Sequence, residues 1–262
     1  ALVQLYLRSN QAKKAVPVAE QLVKTQGNNA GFYNLLGMAQ GQAANIPASR
    51  SAFEKAISLD ANFQQAKLHL AKLEIATRAY DAATKRLNDL LQTDPKYSEA
   101  MYEMAIIADR KGQQSDTQRW LEKARDSAPS TENRWDLALV NFHLRYGRPG
   151  PAFDAAKSAS STRPDDVHPL LAYGRAAISI GDTVAAKTAL TSATRFAEYD
   201  APMQVEIAGL QLAANNLGGA AYSLDKALSS RPDLLPAQAL MAEVELRQGD
   251  PAKAEKRARD VI

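Results

Sequence analysis

Few side chains in this sequence are suited to acid–base or metal chemistry. Its only histidines are His69, His143 and His168, and it has no cysteine, which excludes thiolate zinc sites and cysteine nucleophiles. The histidines are 74 and 25 residues apart and fall at unrelated positions of the repeat described below, so we expect no compact ligand set. The adjacent carboxylates Asp165 and Asp166 precede a predicted helix, where helix capping is the favoured role.

Recognisable catalytic and nucleotide-binding motifs are also missing. The sequence has no HExxH, no GxSxG and no GxxxxGK[ST]. The glycine pair Gly218-Gly219 lacks the preceding strand and the following lysine of a phosphate-binding loop. We therefore predict that the protein is not an enzyme and that it binds no cofactor and no metal.

The composition excludes further classes of protein. The 262 residues are 45% hydrophobic, with 32 basic and 29 acidic side chains, a net charge of +3. That apolar fraction is too high for a disordered chain, and the charge is too small to indicate a nucleic-acid partner. No apolar run reaches the ~18 residues of a membrane span, so we expect no transmembrane segment. The missing cysteines permit an oxidising compartment without requiring one.

Three residue classes recur with a common period, which indicates a repeat architecture. The prolines are Pro95, Pro129, Pro164 and Pro232; the glycines are Gly112, Gly147, Gly181 and Gly249; the small residues are Ala83, Thr117, Ala152, Ala186, Ala220 and Ala254. The spacings are 34 or 35 residues, or 68 where one unit is skipped. Each unit contains two stretches with helical spacing of apolar residues, joined by a turn such as Gly181-Asp182.

We therefore predict an all-α fold built from helix–turn–helix units. The units are 1–29 (partial), 30–63, 64–97, 98–131, 133–166, 167–200, 201–234 and 235–262 (partial), with Glu132 as a single inserted residue. Neither end has the polar cap that normally closes such an array, so residues 1–262 are expected to be one solenoid cut from a longer one. The 49 alanines fit this reading, because small residues let paired helices approach closely.

The unit resembles the tetratricopeptide repeat, which has 34 residues and folds as a helix–turn–helix. In 30–63 the matching residues are Tyr33, Leu36-Gly37, Phe53 and Ala56; in 98–131 they are Met101, Met104-Ala105, Leu121, Ala124 and Pro129. The resemblance implies a right-handed superhelical solenoid of about eight such units, six complete and two partial. It also implies that the first helix of each unit lines a concave groove.

The groove positions of this resemblance are residues 2, 5, 9, 12 and 13 of each unit. In the central units they are polar, with a cationic bias and one aromatic side chain, which suits an extended peptide or an acidic segment. We predict a non-enzymatic scaffold with a protein or peptide partner. The candidate partner-binding residues are Lys72, Glu99, Tyr102, Ile106, Arg110, Arg134, Asn141, Arg145, His168 and Arg175.

Other functions of helical repeats remain as alternatives. Repeats that bind acidic chaperone C-termini resemble one another in Lys at position 5 and Asn at position 9; only Asn141 matches, which disfavours a chaperone adaptor. An RNA-binding helical-repeat protein is the first alternative, although apolar residues such as Leu137 and Leu171 occupy position 5. An α/α-barrel enzyme of polysaccharide processing is the second, although its repeats are longer.

Two stretches, 120–129 and 242–254, are similar to a narrower family. This is the tetratricopeptide lipoprotein, PrsT-like, of bacterial PEP-CTERM exosortase and exopolysaccharide loci. The resemblance implies a periplasmic or outer-membrane-associated scaffold in polysaccharide export or protein sorting, with the cytoplasm as the alternative location. A leader or lipid anchor would then lie outside the sequence given.

Overall fold

The computed structural model describes residues 2–129 and 132–261. These residues form 16 α-helices and, within the described ranges, no strand. The helices are α1 (Leu2–Arg8), α2 (Ala12–Thr25), α3 (Ala30–Gln42), α4 (Ile46–Leu59), α5 (Gln64–Ala76), α6 (Tyr80–Thr93), α7 (Ser98–Arg110), α8 (Gln114–Ser127), α9 (Arg134–Arg145), α10 (Pro149–Thr162), α11 (Val167–Ser179), α12 (Thr183–Phe196), α13 (Ala201–Ala213), α14 (Leu217–Ser230), α15 (Leu235–Arg247) and α16 (Pro251–Val261).

Each predicted unit contains one pair of these helices, which confirms the all-α class and the helix–turn–helix repeat. We call the odd-numbered members first helices and the even-numbered members second helices. Capping side chains mark several starts: the Asn29 side chain accepts a hydrogen bond from the Phe32 backbone N–H, and that of Asp182 accepts one from Ala185. The unit ends predicted at residues 1, 131 and 262 lie outside the described residues, and the single solenoid over 1–262 stays a prediction.

The turn inside every helix pair has one residue in the left-handed backbone region, which is position 15 of the 34-residue repeat frame. Glycine occupies this position in four units, and asparagine in two, as Asn10 and Asn215. The other two units place Ala44 (φ 61°) and Arg78 (φ 62°) there. A Cβ makes this conformation unfavourable by roughly 1–2 kcal/mol, so these two turns are strained where the glycine turns are not.

Within a pair, the helices meet through residues 8 and 24 of the unit, whose sizes are complementary. Gly37 faces Phe53, and a Cβ on Gly37 would lie 2.5 Å from two atoms of that ring. Gly174 faces Leu190 in the same way, at 2.7 Å. In 133–166 the sizes are reversed, with Val140 and Ala156 in one buried cluster. Close helix approach therefore needs one small partner, on either helix.

The chain divides into two compact units, Ala1–Ala128 and Pro129–Ile262. In the first, consecutive first helices α1, α3, α5 and α7 pack against one another; in the second, α9, α11, α13 and α15 do so. Among second helices in the described ranges, only α12 and α14 make comparable contact. The first helices are thus the more closely spaced layer of each compact unit, and we call its outer surface the first-helix face.

Buried polar side chains connect neighbouring repeats. On α5, the Glu74 carboxylate is 1% exposed and receives the Arg86 guanidinium at 2.8 and 3.1 Å and Arg50 Nη1 at 3.4 Å. An unpaired carboxylate at this buried position would carry a large desolvation cost, so both arginines stabilise the contact between the repeats. Among the described helices, none has the length and apolar character needed to cross a bilayer.

Candidate functional site

The first-helix face of Ala1–Ala128 bears five of the predicted partner-binding residues. Lys72 lies on α5, and Glu99, Tyr102, Ile106 and Arg110 lie on α7. All five reach the surface: Lys72 and Arg110 are exposed, and the other three are partly exposed. Their positions agree with the predicted face, but binding by these residues stays a prediction.

Lys72 also has a structural partner that the sequence did not indicate. Its Nζ lies 3.4 Å from Oε1 of Glu103, whose side chain is 7% exposed. Burial raises the pKa of the Glu103 carboxyl, and the attraction of Lys72 offsets part of that rise. Part of the positive charge of Lys72 is therefore engaged inside the protein.

In Pro129–Ile262 the other five predicted residues also lie on first helices. Arg134, Asn141 and Arg145 are exposed on α9. The Arg134 guanidinium stacks 4.1 Å from the Trp135 ring centroid, and its Nε lies 2.5 Å from Oε1 of Glu132. These contacts fix the direction of the side chain at the start of α9.

The remaining two, His168 and Arg175, are exposed on α11 and each has an acidic neighbour. Nδ1 of His168 lies 3.2 Å from Oδ1 of Asp166, the capping residue of α11. Partial burial would raise the pKa of Asp166, but hydrogen bonds from the His168 backbone and ring and from Asn133 lower it overall. Arg175 forms an ion pair with Glu206 on α13, the next first helix.

A cleft opens on the first-helix face of Ala1–Ala128 between α1, α3 and α5. Its volume is about 520 Å³. The second helix α4 forms its floor through Ile46, Ser49 and Phe53. Two glycines on α3, Gly37 and Gly41, leave the space open, and Met38 and Leu73 make the walls largely apolar. We call this the α1–α3–α5 cleft.

The two glycines of the cleft also allow α3 to pack closely against α4. A Cβ at Gly37 would collide with the Phe53 ring, and one at Gly41 would lie 3.0 Å from Oγ of Ser49. The Ser49 hydroxyl donates a 2.7 Å hydrogen bond to the Gly37 carbonyl. The helix pair α3–α4 is therefore tight, and the small residues that make it tight also remove the side chains that would fill the cleft.

His69 is the titratable group of the cleft wall. Burial and the nearby charge of Lys72 lower its pKa to about 4, so the imidazole is neutral at physiological pH. Its Nδ1 lies 2.8 Å from Oδ1 of Asn34, and its ring centroid lies 5.7 Å from that of Phe53. With Nδ1–H donating to Asn34, Nε2 is left as a hydrogen-bond acceptor.

The rim of the cleft is cationic. Arg8 and Lys72 line it, and no Asp or Glu does. Within the described ranges, Arg8 has no ion pair with a carboxylate. The Gln42 amide holds α1 in place over the cleft by donating to the Leu7 carbonyl at 3.1 Å and to Oδ1 of Asn10 at 3.0 Å.

The cleft was not predicted from the sequence, although one of its lining residues, Lys72, was. From the sequence alone, His69 is only a possible metal ligand, and Gly37 and Phe53 are only residues of the repeat motif. The available signal was the spacing of Gly37 and Gly41, which puts two missing side chains on one face of a helix. In the described part of the chain, no group of three or more potential metal-ligating side chains is present.

No protein-family model matches the sequence. No curated protein sequence matches it either.

Solved structures match the fold across most of the chain. Yeast Tom70 aligns with a TM-score of 0.63 at 14% identity, over 96% of this chain and 54% of its own. The C-terminal part of a TPR repeat-containing protein from Cytophaga hutchinsonii gives 0.59 at 13% identity, over 88% and 95%. The pilF protein of Pseudomonas aeruginosa gives 0.56 at 16% identity, over 82% and 97%.

The chain also aligns with the APC/C hetero-tetramer Cut9-Hcn1, with a TM-score of 0.56 at 16% identity over 92% of its length. It spans only about half of that chain and of Tom70, 48% and 54% respectively. Identities this low establish a shared fold and nothing finer. The predicted tetratricopeptide-repeat fold is confirmed.

Proposed function

We propose that this chain is a non-enzymatic scaffold that binds a protein or an extended peptide on its first-helix face. The observation that carries the proposal is the exposure of cationic side chains on neighbouring first helices within each compact unit. These are Lys72 on α5 and Arg110 on α7 in the first unit, and Arg145 on α9 and Arg175 on α11 in the second. Cations on neighbouring helices suit an acidic segment of a partner.

The fold supports the same proposal. Helical repeats stack into surfaces on which many side chains face one ligand, and affinity can be distributed over several repeats. One solved structure of this fold is that of the hetero-tetramer Cut9-Hcn1, in which different chains assemble. We extend only that mode of action, and not its partner, to the present chain.

The test compares partner recovery by two triple variants of the protein. Reversal of charge at Arg110, Arg145 and Arg175 to Glu is expected to abolish capture of the partner from an extract of the native organism. The matched control reverses Lys85, Lys157 and Lys187, which are exposed on the second helices α6, α10 and α12. Equal recovery by the wild type and the first-helix variant would contradict the proposal.

We further propose that the scaffold works in the periplasm or at the outer membrane, in exopolysaccharide export or exosortase-linked sorting. The support is the similarity of residues 120–129 and 242–254 to the lipoprotein of those loci, together with the absence of cysteine. Fractionation of cells that carry the tagged protein checks the location. Recovery in the cytoplasmic fraction, or normal polysaccharide export and sorting in a deletion strain, would overturn this assignment.

A further inference from the structure

We propose that the α1–α3–α5 cleft binds two apolar side chains of an acidic peptide, with a peptide carboxylate against Arg8 and a peptide N–H donating to Nε2 of His69. The inference rests on the proposed function, because it assigns a peptide class to one part of the same face. It adds a discrete pocket, its ligand chemistry and residues that the sequence did not point to.

The size and lining of the cleft argue for apolar occupants. A volume of about 520 Å³ lies within the 300–1,000 Å³ of typical ligand pockets, which are mainly apolar with a few polar groups. Leu7, Met38, Ile46, Phe53 and Leu73 supply the apolar surface. Alternate side chains of an extended peptide are about 7 Å apart and point the same way, so two can enter together.

The charges at the rim argue for an acidic ligand. Arg8 faces the cleft without a carboxylate partner in the described ranges, whereas Lys72 is ion-paired with Glu103. No acidic side chain lines the cleft. A carboxylate of the ligand next to an apolar side chain would complete a charge-assisted hydrogen bond with the Arg8 guanidinium.

The imidazole of His69 selects a peptide over other amphipathic acids. Asn34 occupies Nδ1, and the low pKa keeps the ring neutral, so the free ring nitrogen accepts a hydrogen bond. A peptide backbone supplies an N–H donor at every residue except proline. A fatty acid matches the apolar walls and Arg8 but has no donor for Nε2 at neutral pH.

The test is selection of a random twelve-residue peptide library on the full chain, followed by binding assays of the enriched peptides. The variant Ala76→Phe fills the cleft from α5, where Ala76 is exposed. Its matched control is Ala213→Phe, because Ala213 is exposed at the same position of the first helix α13. Arg8→Glu replaces one of the two rim cations by a carboxylate and leaves the apolar walls unchanged.

We expect the enriched peptides to contain two apolar residues at alternate positions next to Asp or Glu. Ala76→Phe and Arg8→Glu should each weaken their binding by about tenfold or more, the scale of one lost anchor, while Ala213→Phe leaves it unchanged. His69→Leu, which removes the acceptor, should weaken binding by a smaller factor. Circular dichroism of each variant separates loss of binding from loss of folding.

Three outcomes would overturn the inference: no peptide enriched on the wild type over Ala76→Phe, enriched peptides without the apolar and acidic pattern, or equal binding to Ala76→Phe. Tight binding of dodecanoate, lost in Ala76→Phe and without any enriched peptide, would assign the cleft to an acyl chain instead. If the Arg110, Arg145 and Arg175 reversal abolishes partner recovery while Ala76→Phe does not affect it, the proposed function stands and the cleft assignment fails.

Discussion

Repeats 30–63 and 167–200 pack their two helices in the same way, but their exposed surfaces differ in chemistry. Both place glycine at position 8, Gly37 and Gly174, against a large side chain on the second helix. Above Gly37, position 9 is Met38, and the next first helix contributes the neutral His69 to an open apolar cleft. Above Gly174, position 9 is Arg175, which is ion-paired with Glu206 at the position that corresponds to His69.

The first helix of a repeat therefore has two roles, one for each of its faces. Residues that face the second helix are restricted by volume, because a helix pair closes only when one partner is small. Residues one position further along face outward and are free to differ between repeats. Binding specificity in this chain is therefore expected to reside in position 9 of one unit and position 6 of the next, while positions 8 and 24 maintain the fold.

Removing the large partner tests the shared core most strongly. Phe53→Ala should lower the free energy of unfolding by about 3–5 kcal/mol and Leu190→Ala by about 2–5 kcal/mol, because each side chain is at most 4% exposed and leaves a cavity. Urea unfolding followed by circular dichroism measures both. A loss below about 1 kcal/mol at either position would show that the pair is not a fixed part of the core.

The neutral histidine at the cleft should make the stability of the protein sensitive to acid, whereas the ion pair above Gly174 contains no histidine. The folded-state pKa of His69 is about 4, below its ordinary 6.5, so the unfolded chain takes up the proton first and stability falls as the pH drops from about 6.5 towards 4. Partial exposure keeps the loss below about 3 kcal/mol. Unfolding midpoints of wild type and His69→Gln across this range isolate the contribution, since Glu103 is common to both. Parallel curves would contradict it.

A double-mutant cycle tests whether the glycines are small because of their partners. Gly37→Ala places a Cβ against the Phe53 ring, and overpacking of this kind costs about 1–3 kcal/mol, more than the ~1 kcal/mol gained in helix propensity. In the Phe53→Ala background the same change should be stabilising. The cycle at Gly174 and Leu190 is expected to have the same sign. Additive free energies in either repeat would show that the two positions are uncoupled.

The ion pair above Gly174 should matter least for stability. The side chains of Arg175 and Glu206 are 43% and 42% exposed, so the pair is screened by solvent and should contribute between 0 and about 1 kcal/mol. Arg175→Met with Glu206→Gln should leave the unfolding midpoint nearly unchanged at high salt. A large loss of stability, or one that does not decrease with salt, would mean that the pair supports the packing of α11 on α13.

The sequence was sufficient for the repeat architecture because the period is imposed by local rules. A small residue at each helix crossing and a left-handed residue in each turn recur in every unit, so one unit predicts the next. The cleft follows no such rule. It depends on where the Phe53 ring lies relative to Gly37 and on α1 covering one side, and both are set by packing among three repeats.

Side-chain pairing was less predictable for the same reason. The surface position of Arg175 follows from helical periodicity, but its partner Glu206 is 31 residues away on the next first helix. The same is true of Lys72 and Glu103. Charges read from the sequence as available to a partner are thus partly committed to neighbouring repeats, and only the arrangement of adjacent helices reveals which ones.

Ala44 and Arg78, which occupy the left-handed position inside a helix pair where other units have glycine or asparagine, belong to the two hairpins whose helices α3, α4 and α5 surround the cleft. The left-handed conformation costs roughly 1–2 kcal/mol more for these residues than for glycine. We therefore expect the two hairpins to unfold locally at a lower free energy than the hairpins with glycine turns. Faster amide exchange in α3 to α6 than in α7 and α8 is the expected signature. Helices that open more easily let the wall of the cleft adjust to ligand side chains of different shape. The double variant Ala44→Gly with Arg78→Gly should therefore raise the stability of these hairpins and narrow the range of peptides that the cleft accepts.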